Sequence, residues 1–311
     1  VPDVLISEVG PRDGLQSIDR TMPTAHKQAW IQSLADSGLT EIEVCSFVPP
    51  KLLPQMADAA EVVAFSRSIP GLSVTALVPN LKGAQSAFAA GVHKVTIPFS
   101  ASEAHSLANV RKSHDQMRQE VAAIMALRND QFSHVIVETS LSTAFGCSIA
   151  GPVSEDLVVQ LSEQLVALGV DEIGLADTTG YANPAQVSRL FKRVRTQVGE
   201  RCMSAHMHNT RGLGLANVLA AYEVGIRVFD SSMGGIGGCP FAPGASGNVV
   251  TEDLVFMFEA MGIRTGVDLE RLILARDVFS KGLPDEPTYG MVPAAGLPKG
   301  FHSAQGTKGI A

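Results

Sequence analysis

Aromatic side chains make up only 5% of the 311 residues, with a single tryptophan, so small and branched aliphatic side chains must fill the core. Cysteine is scarce too. Cys45, Cys147, Cys202 and Cys239 form no C-x-x-C pair and fit no zinc-ligand spacing, which excludes a small disulfide scaffold and a thiolate zinc site. A chain this long buries enough surface to fold without disulfides. The cysteines therefore read as reduced and the expected compartment as the cytoplasm. No apolar run approaches the ~18–20 residues of a membrane span, and Val1-Pro2-Asp3 opens without a basic-then-apolar signal pattern. Positive charge is also in deficit: 24 Lys and Arg against 31 Asp and Glu leave a net charge of −7. With no basic stripe, nucleic acid is not an expected partner. An anionic substrate would have to be held by local cations against the global field.

Glycine, by contrast, is plentiful, 29 in all, as many tight strand-to-helix loops would require. Short β-branched runs alternate with longer amphipathic stretches. The runs are 4–9, 41–47, 73–78, 94–99, 134–141, 172–177, 203–208 and 228–233. Val95-Thr96-Ile97 and Val135-Ile136-Val137 have the composition of strands covered on both faces. Thr24 is placed to cap a helix carrying Trp30, Ile31 and Leu34. Ser154 opens another, and Asn183-Pro184 a third. Gly38, Gly91, Gly169, Gly225 and Gly262 stand where helices should stop. Eight strands alternating with helices predict an α/β fold, a (β/α)8 TIM barrel. An open doubly wound sheet would not bring the ends of strands one, two, six, seven and eight together; ring closure does. One catalytic domain is expected over 1–284, including C-terminal helices near 251–261 and 268–279. Residues 285–311, rich in Pro and Gly, are expected to form a partly ordered tail.

Three motifs fall at predicted strand ends: Gly10-Pro11-Arg12-Asp13-Gly14-Leu15-Gln16, His206-Met207-His208-Asn209, and Gly237-Gly238-Cys239-Pro240 running on to Gly247-Asn248. His206 and His208, spaced i, i+2 on a strand, present both imidazoles to one face. Asp13 adds a carboxylate and Asn248 an amide oxygen. Two imidazoles with oxygen ligands and no thiolate suit a catalytic divalent ion such as Mg²⁺ or Mn²⁺. Arg12 is either a rim salt bridge or a guanidinium that stabilises an oxyanion. Cys239 is either a buried structural thiol or an acid or gate on a glycine-hinged loop. Glu43 and Ser46 end strand two; Asp177 and Thr178 end strand six. Either carboxylate could orient the metal ligands, and Asp177 alternatively caps its loop. Lys51, Lys82 and Arg111 in mouth loops are candidates for the phosphates of a large anionic substrate.

The run from Glu8 to Gln16 closely resembles the signature of 3-hydroxy-3-methylglutaryl-CoA lyases, members of a metallolyase superfamily whose barrels begin with an Arg-Asp pair. Further matches are 46–51 (Ser-Phe-Val-Pro-Pro-Lys), 79–83 (Pro-Asn-Leu-Lys-Gly), 237–242 and 244–248, the last leading into Thr251-Glu252-Asp253. The resemblance spans about residues 4–280. It implies a metal held by Asp13, His206, His208 and Asn248, and enolate charge balanced by Arg12. It also implies Cys239 on a closing loop and support from Glu43, Asp177 and Glu252. The implied substrate contacts are Gln16, Ser46, Lys51, Lys82, Asn109, Ser142, Thr143 and Thr178. The implied reaction is a retro-Claisen cleavage to acetyl-CoA and acetoacetate, with His206 or Cys239 as the acid. An acyl-CoA thioester is the expected partner and a homodimer the expected assembly. After strand five the sequence departs from the family. Ser140, Thr143 and Ser148 stand where it usually has Tyr, Cys and Pro, Glu138 where it tends to carry Arg, and Asn209 where it usually has Asp. A 3-hydroxyacyl-CoA bulkier at C3 is therefore an alternative substrate. A condensing synthase or aldolase on the same barrel, and a non-catalytic acyl-CoA-binding barrel, are more remote alternatives.

Overall fold

The computed structural model describes residues 2–237 and 247–304. Its strands are β1 (Leu5–Glu8), β2 (Glu41–Ser46), β3 (Ser73–Leu77), β4 (Lys94–Ser100), β5 (Ile136–Ser142), β6 (Glu172–Ala176), β7 (Cys202–His206) and β8 (Val228–Ser231). All pairings are parallel, and β8 returns to β1 to close the ring in chain order. The helices are α1 (Thr24–Asp36), α2 (Ala59–Ser66), α3 (Leu81–Ala90), α4 (Glu103–Asn109), α5 (His114–Gln131), α6 (Glu155–Ala167), α7 (Pro184–Val198), α8 (Gly214–Glu223), α9 (Thr251–Ala260), α10 (Leu269–Gly282) and α11 (Met291–Ala295). This is the expected TIM barrel with further C-terminal helices. No described helix is long and apolar enough to cross a membrane.

Alternation along the strands builds two interiors. On β4, Val95, Ile97 and Phe99 are fully buried, whereas Thr96 and Pro98, on the other face, line a cavity inside the ring. Branched aliphatic side chains dominate the core. The lone tryptophan, Trp30, packs its ring 5.0 Å from that of Phe279, joining α1 to α10.

Two local expectations need correction. Pro23, not Thr24, occupies the capping position of α1; Thr24 Oγ1 instead donates to Asp58 Oδ2 at 2.8 Å, tying α1 to the start of α2. Ser154 does precede α6, but its side chain makes no capping bond. Asn183 caps α7 through its bond from the Gln186 amide. Most strands also stop short of their expected ends, because at the mouth the chain leaves the ladder and turns its functional side chains inward. Residues 285–304 run along α9 and the loop after β8. Tyr289 N donates to Gly234 O (2.7 Å), Val292 N to Asp253 Oδ1 (2.7 Å), and Phe301 packs on Phe256.

Candidate active site

β1 ends in a wide turn, Gly10–Gly14. The amides of Arg12, Asp13 and Gly14 all point at the Val9 carbonyl, at 3.1, 2.7 and 3.4 Å. Such i→i+5 turns are rare and often functional; this one carries Arg12 and Asp13 over the mouth. There Asp13 meets His206 and His208, each offering a ligand atom within 4.8 Å of the others. His206 Nε2 and His208 Nε2 stand 3.1 Å apart. The expectation that both histidines ride one strand is half right. His206 ends β7, while His208 lies beyond it, bridged antiparallel to Asn248. Asn248 Nδ2 donates to Asp13 Oδ2 at 2.7 Å and to Ile236 O at 3.2 Å. A Cβ on Gly237, whose φ is +108°, would lie 2.5 Å from that Nδ2, so only glycine lets the amide approach.

A divalent cation fits this donor set. His208 Nδ1 and Asn248 Oδ1 are buried with no hydrogen-bond partner, an arrangement that is costly unless a ligand completes it. Burial alone would raise Asp13, but Arg12 first and then both histidines hold it down at about 2. Burial, reinforced by His206, pushes His208 down to about 3, so it stands as a neutral imidazole. His206 is driven the other way: burial opposes its charge, but Asp230 outweighs this and raises it. Asp230 Oδ2 lies 3.0 Å from His206 Nδ1, fixing the ring so that Nε2 faces Asp13 and His208.

Arg12 is clamped between two carboxylates, with Nε 2.5 Å from Glu43 Oε2 and Nη1 2.6 Å from Asp13 Oδ1. Both readings of Arg12 are thus present at once: it is a salt bridge, and it lines the cavity above the cluster. Burial raises Glu43 to about 7 against the pull of Arg12.

The cavity measures about 620 Å³ and is lined by Arg12, Asp13, Gln16, Glu43, Asn109, Ser142, Thr178, His206 and His208, all expected at the site. Other candidates stand back from it. Ser46 is fully buried, its Oγ without a partner. Thr143 adopts a left-handed φ of +56° and ties three loops, donating to Ser142 O, accepting from Ser102 N and donating its amide to Thr178 Oγ1. Asp177 Oδ1 caps the Tyr181 and Ala182 amides, the loop-cap alternative, while its Oδ2 is buried and unpartnered. Burial lifts Asp177 to about 7 against those amide bonds. Glu252 touches no ligand; it accepts from Gly234 N and Arg276, holding the loop that leads to Gly237. Lys51 and Lys82 are exposed and do not line the cavity; Arg111 and Lys112 do. Cys239 lies outside the described residues.

Sequence reasoning passed over Asp230. Its signal was present: an acid inside the apolar strand 228–231 needs a buried partner, and its register opposite His206 supplies one.

Comparison with known proteins places this geometry. The HMGL-like family model matches residues 3–279. Hydroxymethylglutaryl-CoA lyase YngG of Bacillus subtilis is 42% identical over 273 residues, covering 88% of this chain and 90% of that protein. The mitochondrial hydroxymethylglutaryl-CoA lyase of Homo sapiens is 40% identical over 280 residues, 90% of this chain and 86% of its own length. Among solved structures, an HMG-CoA lyase from Acinetobacter baumannii in complex with coenzyme A and 3-methylmalate superposes with a TM-score of 0.90 at 41% identity, covering 96% of this chain and 97% of that one.

Proposed function

The chain belongs to the HMGL-like family, and on that premise we propose that it is a divalent-metal-dependent carbon–carbon lyase that cleaves 3-hydroxy-3-methylglutaryl-CoA to acetyl-CoA and acetoacetate. The observation that carries the reading is the convergence of Asp13, His206 and His208, with Arg12 bonded to Asp13 beside them. Asp13, His206, His208 and Asn248 would hold the ion, Mg²⁺ or Mn²⁺. When bound, such an ion supplies Lewis acidity toward hydroxyl and carbonyl oxygens.

The chain's own residues do the rest. The C3 hydroxyl gives its proton to a base, the C2–C3 bond breaks, and its electron pair passes into the thioester as an enolate. Arg12, already oriented by Glu43, balances that charge; an interaction that grows with the developing charge lowers the barrier selectively. His206 or Cys239 protonates C2. Asp230 holds His206 Nδ1 and so fixes the direction in which its Nε2 points. Gln16, Asn109, Ser142 and Thr178 line the walls that would orient the acyl chain, and Arg111 and Lys112 at the rim offer charge to an anionic carrier. The three described cysteines are buried and unpaired, which supports a reducing, cytoplasmic compartment. The proposed assembly is a homodimer.

The test is acetyl-CoA release from 3-hydroxy-3-methylglutaryl-CoA with added Mg²⁺ or Mn²⁺, then after EDTA. Metal-restored cleavage is the expected outcome. Equal rates with and without chelator would overturn the metal role, and no release under any condition would overturn the substrate.

A further inference from the structure

Barrels of this kind normally fill their interior with layers of bulky branched side chains. This one does not. The inward positions beneath the mouth are Ser7, Thr75, Thr96, Ser140, Gly174 and Ser204. The cavity that opens at the mouth therefore continues down the ring, reaching Ser7, Glu41, Thr75, Thr96, Glu138 and Ser140. It forms a polar-walled chamber beneath the Asp13–His206–His208 cluster.

The floor of the chamber is charged. Lys94 Nζ lies 2.9 Å from Glu138 Oε2, 2.7 Å from Glu172 Oε2 and 3.6 Å from Glu41 Oε1. Ser204 Oγ donates a further short bond to Glu138. Three carboxylates thus face one ammonium. Burial raises Glu41 against the pull of Lys94. Even with Glu41 protonated, two carboxylates remain against one cation.

Two atoms in the chamber wall make no hydrogen bond within the protein: Thr75 Oγ1, on a residue 2% exposed, and Glu41 Oε1, on a residue 7% exposed, whose contact is the 3.6 Å ion pair with Lys94. An occupant that hydrogen-bonds to both atoms is favoured over one that leaves them without a hydrogen bond.

We infer that the chamber is the specificity pocket for the substituent at C3 of the acyl group, and that it takes an uncharged, hydroxyl-bearing chain larger than methyl while rejecting a carboxylate. The inference rests on the lyase reading above. A hydroxyl can donate to Glu41 Oε1 and pair with Thr75 Oγ1. A purely aliphatic chain of the same length fills the space but leaves both atoms without a hydrogen bond. A carboxylate offers only acceptors and brings further negative charge against Glu138, and Lys94 at the floor is already shared by Glu41, Glu138 and Glu172.

The test is a panel of 3-hydroxyglutaryl-CoA thioesters carrying methyl, n-propyl, 3-hydroxypropyl or 2-carboxyethyl at C3. Each is cleaved at C2–C3 to acetyl-CoA and the matching 3-oxo acid, the hydroxyl proton being replaced at C2, so no other reactant is needed. The 3-hydroxypropyl compound should exceed the methyl and propyl compounds in kcat/KM by about tenfold or more, with the carboxyethyl compound lowest. Ser140→Leu, which narrows the chamber, should invert the order in favour of methyl, with Mn²⁺ affinity and Tm recorded to show that the fold is kept. Glu138→Gln should raise the carboxyethyl compound relative to the hydroxypropyl one by about tenfold. A wild-type preference for methyl that Ser140→Leu leaves unmoved would overturn the inference and leave the lyase reading standing. No cleavage of any thioester would overturn the lyase reading, and this inference with it.

Discussion

Asp230 shows how one side chain can set the state of a site it does not complete. It holds His206 at Nδ1 across adjacent strands and raises its pKa, while burial and His206 push that of His208 down. Asp230→Ala should weaken Mn²⁺ binding by about 10–100-fold, read by isothermal titration. An unchanged dissociation constant would reduce Asp230 to a packing residue. Individual residues were unevenly legible in the sequence. Asp13, His206, His208 and Asn248 stood out because metal chemistry requires those residue types together. Lys94 did not: a lysine opening a strand reads as solvated surface, and only closure of the ring over it makes it the centre of a buried carboxylate cluster. Lys51 and Lys82 are exposed and stand off the cavity, since long side chains in mouth loops can point anywhere.

At the scale of the element, the junction of β1, β8 and α9 is governed by Glu8. It is fully buried and accepts from Gly10 N (2.8 Å), Met233 N (2.9 Å) and Thr251 Oγ1 (2.6 Å). Burial outweighs these bonds and raises its pKa from 4.5 to about 8. Protonated, Glu8 can donate to Thr251 Oγ1, which passes a bond on to Ser231 Oγ at 2.9 Å. The sign follows from proton linkage. Between about 4.5 and 8 the folded state binds more protons here than the unfolded chain. The contribution of Glu8 to stability is therefore complete below that window and is lost as pH rises through it, at up to about 1.4 kcal/mol per pH unit. Glu8→Gln, which cannot ionise, should flatten this part of the profile. Denaturation midpoints at pH 5, 6, 7 and 8 that fall in parallel for the two proteins would refute it. Strand identity and order were readable from β-branched runs and glycine stops. Strand ends were not, because the wide turn after β1 and the bridge between His208 and Asn248 depend on partners distant in sequence.

At the scale of the whole molecule, ring closure makes one site from distant segments, and the C-terminal helices brace it from behind. Arg276 of α10 donates to Glu252 (2.6 Å), to the Tyr289 carbonyl (2.9 Å) and to Thr288 Oγ1 (2.6 Å), clamping α9 to residues 288–289. Glu252 is fully buried, so Arg276→Ala would strand its charge and should cost about 3–5 kcal/mol. Urea unfolding would show it, and a loss below about 1 kcal/mol would mean that water or another cation takes the place of the guanidinium. The barrel was legible because only a closed ring unites the ends of strands one, seven and eight; the open chamber was not, because inward and outward faces read alike in strands buried on both sides. Gly237, Gly247 and Asn248 meet at close quarters beside the metal-ligand cluster. Asn248 N bonds Gly237 O at 3.2 Å, and a Cβ on Gly247 would sit 2.2 Å from that same carbonyl. Both positions are thereby closed to any other residue: a methyl at 237 would strike the Asn248 amide and a methyl at 247 the Gly237 carbonyl, so two glycines, far from any reacting atom by type, act as spacers that set how near the ligands may come.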